Sequence, residues 1–126
     1  MARTGISWHH MDWPEGVDQG SNTINYRFWM PGPCRLLAVQ ALIAVVNTQG
    51  AHTITVAEGS GGLTVLVGAA FDLTTLVADT PTNLALTATE TRLELTAGEI
   101  LTLSVVSDNA SYDGSGLFFG LLVQEH

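Results

Sequence analysis

The chain has 126 residues, a formal charge of −8 and no lysine, so Arg3, Arg27, Arg35 and Arg92 carry all its fixed side-chain positive charge. That length suits one domain with a sizeable core. Four scattered, outnumbered arginines cannot neutralise a run of phosphates, so nucleic acid and anionic membrane are not expected as partners.

Residues 1–22 read as an extended N-terminal arm. The segment holds Trp8, His9, His10, Met11, Trp13, Pro14 and Gly16, with no sustained period of 2 or 3.6. It has no continuous apolar stretch and so does not resemble a secretory signal. A β-sandwich domain is expected over 23–126. Ile24 to Met30 alternates cleanly and predicts a first strand, stopped at Pro31-Gly32-Pro33 because proline donates no ladder hydrogen bond. Leu36 to Val46 is apolar on every face; without an N-cap signal it reads as a long strand buried on both faces. It is too short to span a bilayer.

Thr53-Ile54-Thr55-Val56 and Leu63-Thr64-Val65-Leu66-Val67 flank a Gly-rich turn at 58–62 and predict a hairpin. Phe71 to Ala78 fits either a strand or one helical turn begun at Asp72. Asn83 to Thr87 predicts a short strand. Leu93, Leu95, Leu101, Leu103 and Val105 keep an every-second-residue rhythm around the Ala97-Gly98-Glu99 turn, which places one strand face in a core and the other in solvent. Leu117 to Val123 is apolar throughout and predicts a central strand. About eight strands with short polar turns define an all-β fold, a single antiparallel β-sandwich of jelly-roll type.

Catalytic chemistry is scarce. Gly59-Ser60-Gly61-Gly62 lacks the lysine a phosphate-binding loop needs, and Gly114-Ser115-Gly116 lacks the spacing of a nucleophile elbow. No enzyme activity, cofactor, metal or small-molecule substrate is expected. Adjacent His9 and His10 on an extended chain point apart, which argues against their sharing a metal. Asp108, Asn109, Asp113 and Gly114 form an oxygen-rich loop without EF-hand spacing, so an ordinary solvated loop is favoured over a calcium site. Asn109-Ala110-Ser111 matches a glycosylation acceptor but counts as incidental without a secretory signal. Cys34, the only cysteine, reads as a small core residue.

The functional signal is aromatic. Trp8, Trp13, Tyr26 and Trp29 crowd the first quarter of the chain. Such side chains anchor interfaces, and Tyr26 and Trp29 are equally suited to filling the core. The expected partner-binding residues are Trp8, His9, His10, Met11, Trp13, Tyr26 and Trp29.

The order of Pro31-Gly32-Pro33, Leu36 to Val46, Thr53 to Val56, Gly59 to Gly62 and Ala97 to Val106 resembles the phage head decoration (capsid cement) proteins over residues 31–123. The resemblance implies a homotrimer on the virion's capsid surface, made in the host cytoplasm, that binds across neighbouring subunits of the major capsid protein without chemistry. The alternative is a receptor- or glycan-binding module of a tail or head fibre, with its ligand held by the loops near Asp108 to Gly114.

Overall fold

Alternating Thr and aliphatic residues give strands such as His52–Glu58 and Ile100–Ser107 one face to bury, and the described residues stack ten strands as two antiparallel sheets. A computed structural model of the chain describes residues 6–12, 22–30, 32–59, 63–68, 70–108 and 111–126, with the backbone alone at 6–12, 22 and 63. The strands are β1 (Ile6–Asp12), β2 (Asn22–Trp29), β3 (Cys34–Val45), β4 (His52–Glu58), β5 (Leu63–Thr64), β6 (Phe71–Asp72), β7 (Thr82–Leu84), β8 (Glu94–Leu95), β9 (Ile100–Ser107) and β10 (Ser115–Glu125).

One sheet runs β1-β10-β3-β7, with β8 also on β3; the other runs β2-β9-β4-β5, with β6 also on β4. The short strands share positions. β7 and β8 lie along one edge of β3, opposite Val39–Ala41 and Cys34–Arg35 respectively. β5 and β6 likewise share an edge of β4. Each sheet therefore has four strand positions, eight in all, in the order of a jelly roll. The β4–β5 pairing realises the expected hairpin. An isolated bridge between Leu66 and Leu86 closes one side of the sandwich.

The core lies between the sheets, where Leu36, Ile43, Ile54, Leu101, Leu103 and Phe119 are fully buried. Burying a side chain of this size is worth about 1.5–3 kcal/mol. β10 is central, between β1 and β3, as its unbroken apolar run predicts.

Three segments differ from, or resolve, the sequence reading. β3 is not buried on both faces. Its pairing with β10 shifts register between Leu36 and Ala38, leaving Leu37 as an extra residue. The bulge moves the buried set from Cys34 and Leu36 to Val39, Ala41 and Ile43. An inserted residue reverses side-chain parity, so the buried set changes phase at Leu37; the outer face, with Ala38 and Leu42, is apolar too but only half-buried. Phe71 to Ala78 takes both of its readings: the β6 stub leads into a 3₁₀ turn at Leu73–Thr75, capped by Asp72, whose carboxylate accepts from the Thr74 N–H at 2.9 Å. Within the segment read as an arm, the backbone of Ile6–Asp12 pairs with β10 from Gln124 to Phe118. A sheet edge needs only backbone partners, so a strand forms there without a period of two.

Candidate functional site

β2 and β9 run antiparallel from Asn22↔Ser107 to Trp29↔Ile100, which separates two ends of the sandwich. At the Ser107 end, the two carboxylates of the oxygen-rich loop, Asp108 and Asp113, are already committed to neighbouring segments. Asp113 accepts from the Thr48 N–H at 2.7 Å and the Thr48 hydroxyl at 2.5 Å, and these bonds hold its carboxyl below the usual range. The Asp108 carboxylate accepts from the Ala51 N–H at 2.8 Å. Buried Asn47 ties both loops, accepting from the Asp113 N–H and donating to the Gln49 carbonyl. Carboxylates used this way fasten loops together. Beneath them His52 is fully buried, with the Tyr112 ring edge-on at 4.9 Å. Burial pushes the imidazole down to about 4. Among the described residues, no three His, Cys, Asp or Glu side chains gather where a metal ion could sit.

The other end is open. Trp29 is 76% exposed and stands beside Ile100, which is also exposed. The next strand contributes Gly59, whose N–H donates to the Ile100 carbonyl at 3.0 Å. On its other side lies Gly98, from which a built Cβ would sit 3.7 Å from the indole Nε1. Both glycines have positive φ, at 54° and 80°, which their turns require. Beside this corner runs an open groove of about 810 Å³, lined by Arg27, Glu58, Glu94, Thr96, Glu99 and Thr102 among others. Its lining sets three carboxylates, Glu58, Glu94 and Glu99, against the one guanidinium of Arg27, and Glu99 accepts from the Thr96 hydroxyl at 3.1 Å. Glu94 is engaged by Arg35 at 2.9 Å and His126 at 2.8 Å, and those hydrogen bonds hold its carboxyl low. Desolvation raises the Glu58 carboxyl, with Glu99 adding to the rise and Arg92 opposing it.

A third feature is the outer face of the β10–β3 sheet. Phe118 opposes Leu42, and Leu122 opposes Ala38, each pair on the face away from the core. These side chains are half-buried, with a cleft of about 110 Å³ between Phe118, Leu42 and Pro81. The β2–β9 sheet instead presents Thr23, Asn25, Arg27 and Thr102 outward.

The structure separates the expected partner-binding residues. Tyr26 turns toward the core, with its ring 6.3 Å from that of Phe119, and burial raises its hydroxyl pKa. Trp29 points outward from the same strand. In register Trp8 stands opposite Leu122, His9 opposite Leu121, His10 opposite Gly120 and Met11 opposite Phe119. Trp13 lies outside the described residues. The groove carried no sequence signal, because Arg27, Glu58, Glu99 and Thr102 come from separate strands and turns.

The eight-position, two-sheet fold defines the class of protein: a jelly-roll sandwich. A chain of the solved structure "Cyanophage Pam1 capsid asymmetric unit" is similar to it, with a TM-score of 0.55, 13% identity, and 98% of this chain and 85% of that one covered. A chain of "Structure of infectious bursal disease virus Gx strain" aligns at a TM-score of 0.44 and 14% identity, over 99% of this chain and 33% of its own. No protein-family model and no curated protein matches the sequence.

Proposed function

We propose that this chain is a non-enzymatic structural protein of a phage virion, decorating and stabilising the capsid by binding across neighbouring major capsid subunits as a homotrimer. The observation that carries the reading is the likeness to a chain of the cyanophage capsid asymmetric unit, because it spans 98% of this chain and 85% of that one. The apolar outer face of the β10–β3 sheet supports it. Leu42, Phe118 and Leu122 are more apolar surface than a solvated sheet face needs, and they suit a subunit or capsid contact. Residues 8–11 join that sheet as part of β1, which supports assigning Trp8, His9, His10 and Met11, with Trp13, to the same docking role. Interfaces of this kind bury aromatic anchors and rely on no chemistry.

Electron cryomicroscopy of the parent virion tests the reading. Density for this sandwich on the capsid, at positions bridging major capsid subunits and in threefold sets, is the expected result. Density only on a fibre, or no copies on the particle, would overturn it. Trp8→Ala and Trp13→Ala test the arm better than deleting it, because deletion also removes β1 and bares the edge of β10.

A further inference from the structure

We infer that residues 112–114 form an acid-released lid: protonation of His52 raises the population of a locally open form at the Ser107 end of the sandwich while the sheets stay paired. The lid is independent of any virion role, because it lies at the end loops and not on the outer face of the β10–β3 sheet.

His52 is the first residue of β4 and belongs to its inward-facing set with Ile54 and Val56, so the imidazole lies at the mouth of the space between the sheets. Ser107, the last residue of β9, stands opposite it in register and is also buried. Tyr112 covers that mouth. Its ring meets the imidazole edge-on, with centroids 4.9 Å apart and planes at 78°. The ring folds back over its own chain at Gly114, where a Cβ would lie 2.6 Å from the Tyr112 hydroxyl and 3.1 Å from the Val45 carbonyl oxygen.

The lid is fastened mainly by polar bonds. Asp113 accepts from the Thr48 N–H and hydroxyl, and its own N–H donates to Asn47 Oδ1 at 3.1 Å. Tyr112 is the one buried residue within 111–114, and it lies outside the main hydrophobic cluster. The β4–β9 pairing beneath, from His52↔Ser107 to Glu58↔Leu101, uses none of these residues. A segment held by few bonds and little apolar contact opens at lower cost than the strands it covers.

Closed, the lid keeps water from the imidazole, which disfavours its charged form. The groups around it do not offset that effect. Tyr112 and Ser107 bring no charge. Asp72, beside Thr53 on β6, favours the imidazolium, but burial outweighs it. Asp108 and Asp113 are turned to Ala51 and Thr48. Once the lid opens, the imidazole meets water and regains its ordinary proton affinity. The proton thus binds the open form more tightly and shifts the population toward it.

The test is native-state amide hydrogen exchange of the full ¹⁵N-labelled chain, corrected for the intrinsic pH dependence of exchange. With His52 titrating at about 4 when closed and at 6.5 when open, the opening constant read at the Asp113 and Thr48 amides should rise roughly 50-fold from about pH 7 to about pH 4.5. That exchange should not respond to urea up to ~1 M, the mark of local opening, whereas the Leu103 amide in the core should follow the full unfolding slope. His52→Phe should remove most of the rise, and His52→Gln, a smaller neutral replacement, should do the same. No rise in wild type, an equal rise in either folded variant, or a urea response at Asp113 and Thr48 equal to that of Leu103 would overturn the proposal. None of these readouts involves particle association, so the lid and the virion reading can each fail alone.

Discussion

Acidification from neutral pH should first destabilise this protein through His52. Its imidazole is fully buried on β4 beneath the Asp108–Gly114 loop, with the Tyr112 ring against it. Desolvation pushes its pKa from 6.5 down to about 4, with the Asp72 charge opposing the fall. The unfolded chain therefore takes up a proton near pH 6.5, and the folded chain resists until about 4. Stability is complete above pH 6.5 and declines as the pH falls through that window. At ~1.4 kcal/mol per pKa unit, the full loss is ~3 kcal/mol, with ~2 kcal/mol gone by about pH 5. Urea unfolding of wild type and His52→Phe, from about pH 7.5 to about pH 4, isolates this contribution because all other groups cancel in the difference. The gap between the two proteins should shift by ~3 kcal/mol against wild type as the pH falls. Curves that stay parallel would refute the reasoning. The depressed carboxyls of Asp113 and Glu94 also lose their stabilisation on acidification, but only below the ordinary carboxylate range. Glu58, whose pKa is raised, has the opposite sign.

Other expectations follow from packing and turn geometry. Phe119→Ala, at the buried centre of β10, should cost ~3–5 kcal/mol in chemical denaturation, the range for large core truncations. Gly116 has φ 68°, and a Cβ there would meet the Ala44 Cβ at 2.7 Å. Gly116→Ala should therefore cost ~2–4 kcal/mol, and adding Ala44→Gly should recover the steric part and leave the backbone part. Asp113→Ala should lower the thermal midpoint and speed hydrogen exchange at the Thr48 amide, because it removes both bonds to that residue. Leu42→Glu or Phe118→Glu should reduce particle association while leaving the unfolding midpoint nearly unchanged, since both side chains lie outside the core. Co-sedimentation with virions reads the first quantity and calorimetry the second.

The every-second-residue rhythm of Leu93 to Val105 was enough to establish strands, and the apolar run of Leu117 to Val123 was enough to place β10 centrally. Local side-chain alternation carries that information wherever strands are regular. The turn at Ala97-Gly98-Glu99 was legible as a turn, but not as a passage between sheets. Its flanking strands, β8 and β9, pair with β3 and β4 respectively, and those partners are far away in sequence. Parity within β2 was legible too: Tyr26 and Trp29 had to face opposite ways. Which of them faces the core is set by the sheet stacked against them, so the exposure of Trp29 became visible only in the fold.

His52 shows the same division. Its place at the start of a Thr-Ile-Thr-Val strand suggests nothing unusual; its burial comes from a loop more than fifty residues later. The bulge at Leu37 is the sharpest case, because one unpaired residue switches which parity of β3 is buried, and no local pattern marks it. The sequence by itself determined that the chain forms an all-β sandwich, because alternation is a local property of each strand. The tertiary structure decided the jelly-roll order, the exposed indole and the groove beside it. Those depend on which distant segments pair, and no single segment encodes its partner.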